Sequence, residues 1–143
     1  MTTIDFYFNA GDRLVTACQL AGKALQEKKR VLVYAPQPEM AQRIDRMLWT
    51  WQSISFVPHC HADDPLAAET PVLIASGDVP APGCEVLLNL SAECPPFFER
   101  HERLLEVVSR DDEERRAGRA RYAFYRDRGY AIRNHDLAGE GRE

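Results

Sequence analysis

Two periods alternate along this chain. Ile4-Asp5-Phe6-Tyr7-Phe8 alternates and is rich in aromatics, which predicts a strand. Asn9-Ala10-Gly11-Asp12 reads as a turn that can cap a helix. Leu14, Ala17, Cys18, Ala21 and Leu25 then recur at helical spacing, up to about Lys28. Val31-Leu32-Val33-Tyr34-Ala35 is a nearly continuous apolar run, the pattern of a central strand covered on both faces. Pro36 and Pro38 mark the start of a second helix, in which Met40, Ile44, Met47 and Leu48 line one side. Strand, helix, strand, helix with short connections predicts a parallel sheet with helices on its faces.

The rest of the chain continues that plan. Ser55-Phe56-Val57-Pro58 is a short strand or loop. Pro71-Val72-Leu73-Ile74-Ala75 and Glu85-Val86-Leu87-Leu88-Asn89 are two further buried strands, joined by a surface connection containing Pro80 and Pro82. Phe97 to Arg103 reads as a short helix and Leu104-Leu105-Glu106-Val107-Val108 as a last core strand. An arginine-rich helix then closes the fold. With neither repeats nor a linker, residues 1–138 are expected to form a single three-layer α/β domain, a mostly parallel sheet with helices on both faces. Residues 139–143 are expected to be a flexible tail.

Composition narrows the classes. With 143 residues, 45% hydrophobic and 28% charged, the chain is long enough to bury a real core and reads as soluble. Met1-Thr2-Thr3-Ile4-Asp5 has neither a basic segment nor a long apolar one, so no export signal is expected, and a cytoplasmic, membrane-free protein follows. A net charge of −4 argues against coating nucleic acid through the overall field. Cationic charge is nevertheless concentrated, because eight of the arginines lie between Arg110 and Arg133. Cys18, Cys60, Cys84 and Cys94 contain no C-x-x-C pair and are expected as reduced thiols. His59-Cys60-His61, followed by Asp63 and Asp64, lacks a second ligand pair at zinc-site spacing and is read as a plain loop.

No cofactor is expected. Asn9-Ala10-Gly11-Asp12-Arg13, after the first strand, has one glycine and no lysine, so it is neither a dinucleotide turn nor a phosphate-binding loop. A nucleophile elbow is also missing, and the carboxylates gather at Asp111-Asp112-Glu113-Glu114, a helix start. Nothing in these patterns demands an enzyme.

Two features are better suited to binding. In the last helix Asp111 and Glu114 have the spacing of a capping box, and Arg115, Arg119, Tyr122 and Arg126 share a face. Ala117, Ala120 and Phe124 form a second, apolar stripe suited to a core. Arginines beside an aromatic ring can hold a carboxylate next to an apolar group; a solvated helix laced with ion pairs is the plainer reading. The second feature is Trp49, Trp51 and Phe56, large rings within eight residues that are either interface anchors or a crowded corner of the core.

Three stretches together resemble one family, the chi subunit of bacterial DNA polymerase III holoenzyme. They are Asp5-Phe6-Tyr7; Lys29-Arg30-Val31-Leu32-Val33 through Leu48-Trp49 and Ser55-Phe56-Val57-Pro58-His59; and Arg119-Ala120-Arg121-Tyr122-Ala123-Phe124-Tyr125-Arg126. The resemblance spans roughly residues 3 to 135. It implies a Rossmann-like fold without nucleotide-binding loops, no catalysis, and two binding duties. One is the psi subunit of the clamp-loader complex, on a surface including Trp49 and Phe56. The other is the acidic C-terminal tail of single-stranded DNA-binding protein, which ends in a phenylalanine carboxylate, in a pocket including Val108, Arg115, Arg119 and Tyr122. DNA would be met only indirectly. The chain departs from the family pattern at Ala123, where a lysine is expected, which weakens the electrostatic part of tail binding. Two other duties compete with this one: direct binding of single-stranded nucleic acid by the same arginines, and a degenerate α/β enzyme acting on an anionic small molecule.

Overall fold

The apolar runs predicted as strands form one sheet. The computed structural model describes residues 2–50, 59–61, 70–75, 84–95 and 98–138; for 49, 50, 60 and 61 it describes the backbone alone. Along the chain come β1 (Thr3–Ala10), α1 (Arg13–Gln26), β2 (Val31–Tyr34), α2 (Pro38–Thr50), β3 (His59–His61), β4 (Val72–Ala75), β5 (Val86–Asn89), a 3-10 turn (Phe98–Arg100), β6 (Arg103–Ser109), α3 (Asp112–Asp127) and β7 (Ile132–Asp136). The strand order is β3-β4-β2-β5-β6-β1-β7, and every adjacent pair is parallel. This is the parallel α/β architecture that the alternating pattern predicts, and the Rossmann-like fold that the family resemblance implies.

The two faces of the sheet carry separate apolar clusters. Leu14, Ala17, Cys18 and Ala21 of α1 and Ile44 and Leu48 of α2 pack on Val31, Val33, Val72, Ile74, Val86 and Leu88. On the other face, Tyr125 of α3 packs with Ile4, Phe6, Leu32, Leu73, Leu87 and Leu104. The period-two alternation of strand side chains makes this division, since Leu32 faces away from Val31 and Val33. Burial pushes the Cys18 thiol up to about 12, so it behaves as a core residue and not as a nucleophile.

The turn after β1 shows how sequence sets the route. Asn9 takes a left-handed φ of 63°, which asparagine tolerates. Asp12 then caps α1, its carboxylate accepting from the Leu14 and Val15 amides at 2.9 and 3.1 Å. Arg13 turns inward and donates to the Val107, Leu90, Asn89 and Ser91 carbonyls, tying the start of α1 to the ends of β5 and β6.

Several expectations change. The arginine-rich helix does not close the fold, because β7 follows it and pairs with β1 from Ile4↔Ile132 to Phe8↔Asp136. β7 is held by charge more than by apolar burial: Arg133 and His135 join Arg103 around the fully buried Asp5. Of the expected helix from Phe97 to Arg103, the described part beginning at Phe98 holds only the 3-10 turn, and Arg103 already belongs to β6. His59-Cys60-His61 is a strand, not a loop, pairing with β4; His59 is buried with Nε2 3.0 Å from Asp45. The stretch Ser55–Pro58, the connection holding Pro80 and Pro82, and the tail 139–143 lie outside the described residues.

The route of the chain creates a crevice. From β1, α1 leads away over one face to β2; from the neighbouring β6, α3 crosses the other face to β7. The two connections therefore diverge at the carboxyl ends of β6 and β1. Such a switch point is where open α/β sheets commonly bind ligands.

Candidate functional site

A buried polar cluster fixes α3 on the sheet. Glu106, in the middle of β6, has no exposed surface. Arg121 Nε donates to Glu106 Oε1 at 2.8 Å, the Tyr125 hydroxyl donates to Oε2 at 2.6 Å, and Asn89 Nδ2 reaches both oxygens at 3.1 and 3.0 Å. Arg121 also donates to the Ala92 carbonyl at 2.9 Å. Every one of these neighbours is a donor, so the carboxylate is saturated and its charge is spent internally. Burial and the adjoining carboxylate push the Tyr125 hydroxyl far above its ordinary pKa, so it stays a donor.

The inward face of α3 is thus Gly118, Arg121 and Tyr125, not the expected stripe of Ala117, Ala120 and Phe124. Ala120 is exposed, while Ala117 and Phe124 are only half-buried. At the helix start, the Asp111 side chain accepts from the Glu114 amide at 3.1 Å. The capping box is only half formed, because the Asp111 amide donates to Ser109 Oγ at 3.1 Å.

Beside this anchor lies a cavity of about 440 Å³ between α3, the ends of β1 and β6, and β7. Phe6, Phe8, Val108 and Tyr122 make its apolar part, and Arg115 and Arg119 stand at its rim. Phe6 and Tyr122 meet edge to face with centroids 5.1 Å apart. Asn134 of β7 lies 3.4 Å from the Tyr122 hydroxyl. Both rim arginines are exposed, and no carboxylate among the described residues ion-pairs either of them. The volume is within the range of small-ligand pockets. Chemically, the arrangement can take an apolar ring while two guanidinium groups receive an attached anion.

All four residues expected for the pocket, Val108, Arg115, Arg119 and Tyr122, line this one cavity. Arg126, expected on the same face, does not line it and pairs with Asp127 at 3.2 Å. Sequence reasoning missed Phe6, Phe8, Asn9, Ser109, Gly118 and Asn134 as cavity residues. The alternation of β1 could have found Phe6 and Phe8, and a glycine inside a helix is itself a signal for close packing. Asn134 carries no such signal. Of the second expected surface, Trp49 lies in the last turn of α2 with its side chain undescribed, and Phe56 lies outside the described residues. No group of three or more His, Cys, Asp or Glu able to hold a metal occurs among the described residues. Nor does any helix among them have the length and apolarity to cross a membrane.

The chain is similar to several known proteins. The family described as DNA polymerase III chi subunit, HolC, matches residues 1–133. A protein named DNA polymerase III subunit chi from Pseudomonas aeruginosa is 33% identical over 141 residues, covering 96% of this chain and 98% of the relative. Its namesake from Escherichia coli K12 is 29% identical over 132 residues, covering 92% and 88%. Among solved structures, yeast Dbp5 bound to RNA and ADP BeF3 superposes with a TM-score of 0.64 at 14% identity. The alignment covers 97% of this chain but only 43% of Dbp5, and at that identity it speaks for the fold alone.

Proposed function

Because the chain belongs to the DNA polymerase III chi subunit family, we propose that it is a non-catalytic adaptor in the polymerase III assembly. In this reading it joins the clamp loader, through psi, to the tail of single-stranded DNA-binding protein. The observation that carries the reading is the cavity at the end of β6, with two exposed arginines that no carboxylate among the described residues ion-pairs, beside an aromatic-lined hollow. A peptide ending in phenylalanine has the matching chemistry: a ring, a terminal carboxylate on the same residue, and acidic side chains upstream. Arg119 and Arg115 would receive the carboxylate in a charge-assisted fork, while Val108, Phe6 and Tyr122 would take the ring. The upstream acids would feel the rim at longer range, an attraction that salt weakens. Psi would dock on the other proposed surface, through Trp49 and Phe56. A location in the cytoplasm follows from that partnership.

The test is fluorescence-polarisation binding of a labelled acidic peptide ending in Ile-Pro-Phe, with its terminal carboxylate free or amidated. Affinity near micromolar, about −8 kcal/mol, is expected for the free form. Arg119→Ala should remove about 2 kcal/mol of it, roughly thirtyfold, and amidation should cost a similar amount. Phe56→Ala should leave tail binding intact while losing psi. If folded Arg119→Ala bound the free peptide as tightly as the parent, the pocket assignment would be wrong.

A further inference from the structure

We infer that Gly118 is a positioning residue that sets the depth of the aromatic cavity, and through it the preference for a large terminal side chain; this rests on the tail-pocket reading above. A glycine inside a helix weakens it relative to alanine, so its presence calls for a packing reason. The geometry supplies one. A Cβ at Gly118 would lie 2.7 Å from Cγ2 and 3.1 Å from Cγ1 of Val108. Ordinary contact begins at 3.4 Å, so the nearer methyl would have to move by about 0.7 Å. Both residues line the cavity.

Where that displacement goes is decided by what is already fixed. α3 resists lifting, because Arg121 and Tyr125, one and two turns further along, are bound to Glu106 at 2.8 and 2.6 Å. Val108 resists retreating, because it is only 6% exposed and packs within the core cluster of Phe6, Leu104 and Tyr125. Its branched side chain is stiff about χ1. The open volume next to it is the cavity itself. An added methyl at Gly118 therefore drives Val108 into the space meant for the ligand's ring, while the rim arginines keep their places. Gly118 acts through Val108, and its effect grows with the size of the side chain that must enter.

The experiment compares two acidic peptides with free carboxylates, one ending in phenylalanine and one in leucine, against the full chain and its Gly118→Ala, Val108→Ala and doubly substituted forms. Gly118→Ala should lower the affinity ratio of phenylalanine over leucine about tenfold, the scale set by a methyl group in a tight pocket. Its melting temperature should not fall in proportion, since alanine favours the helix. The double variant, lacking the obstructing methyls, should bind the phenylalanine peptide within about twofold of Val108→Ala alone. That comparison also stands if Gly118→Ala by itself fails to fold. An unchanged ratio in folded Gly118→Ala, equal losses for both peptides, or a double variant far weaker than Val108→Ala would each overturn the inference. Failure of the unsubstituted chain to bind the phenylalanine peptide is a separate result, seen before any variant is made, and would overturn the pocket reading together with this one.

Discussion

Glu106→Gln should be strongly destabilising. The substitution keeps size and shape but replaces one acceptor oxygen with an NH₂ group. Around the carboxylate stand Asn89 Nδ2, Arg121 Nε and the Tyr125 hydroxyl, all donating, at 2.6 to 3.1 Å. Only Tyr125 can reverse its role by turning its hydroxyl, so the new amide nitrogen must face it. Asn89 would then confront a second donor. Arg121, 3% exposed, would keep its charge with no counter-charge beside it. Removing one partner of a buried ion pair costs about 3–5 kcal/mol. For a domain of this size that is roughly a 10–17 °C drop in melting temperature. Thermal and urea unfolding followed by circular dichroism would measure it. Arg121→Met on its own should also destabilise, by stranding Glu106. Combined with Glu106→Gln it should cost much less than the two single effects added together, because neither charge is then left alone. A Glu106→Gln protein within about 1 kcal/mol of the parent, or strictly additive single and double variants, would refute the claim that this pair fastens α3 to the sheet.

Two further outcomes follow from other anchors. Burial pushes the Asp5 carboxyl up, but hydrogen bonds from Arg133, His135 and Arg103 together outweigh it and hold the group below its ordinary 3.8. A carboxyl depressed in the folded state stabilises above its unfolded value and loses that contribution as pH falls through the folded one. Asp5→Asn should therefore cost about 2 kcal/mol at pH 7, with the gap from the parent closing below pH 3.8; a gap constant down to pH 2 would contradict the assignment. Asp111→Ala should remove the cap on the Glu114 amide and cost about 1 kcal/mol, visible as faster hydrogen exchange confined to the first turn of α3, and unchanged exchange there would rule the cap out.

What could be read from the sequence, and what could not, divides along physical lines. Val31–Ala35, Val72–Ala75 and Val86–Asn89 declare themselves as buried strands because a parallel sheet covered on both faces needs unbroken apolar runs. β7 does not, since Ile132-Arg133-Asn134-His135-Asp136 holds a single apolar residue and pairs on one side only. Its attachment depends on Asp5, 128 positions from Arg133, and no local pattern reports that distance. The orientation of α3 was misread for a related reason. Apolarity points to Ala117, Ala120 and Phe124, whereas the helix buries Arg121, whose partner lies on another element. That Arg115, Arg119 and Tyr122 share a face was legible because their spacing is local to one helix, but the same spacing also points to Arg126, which does not line the cavity, and not to Val108, which does. The cavity walls from β1 and β7 required the topology that brings those strands beside β6.

The arginines between Arg110 and Arg133 show why counting cations could not locate the site. Arg121 is consumed by Glu106, Arg133 by Asp5 and Arg126 by Asp127, while Arg128 lies 3.7 Å from the centre of the Phe124 ring. Those four serve the fold or its surface. Arg116 is exposed but does not line the cavity. Arg115 and Arg119 alone among these arginines combine exposure, no carboxylate partner among the described residues, and a position at the rim of an apolar hollow. That conjunction depends on how α3 lies over the ends of β1 and β6 beside β7, leaving an apolar hollow between them. Open α/β sheets commonly bind ligands at the carboxyl ends of their strands, and the hollow lies at that end of β1 and β6. In the proposed reading Phe6, Val108 and Tyr122 take the ring of the ligand while Arg115 and Arg119 take the anion on the adjoining atoms.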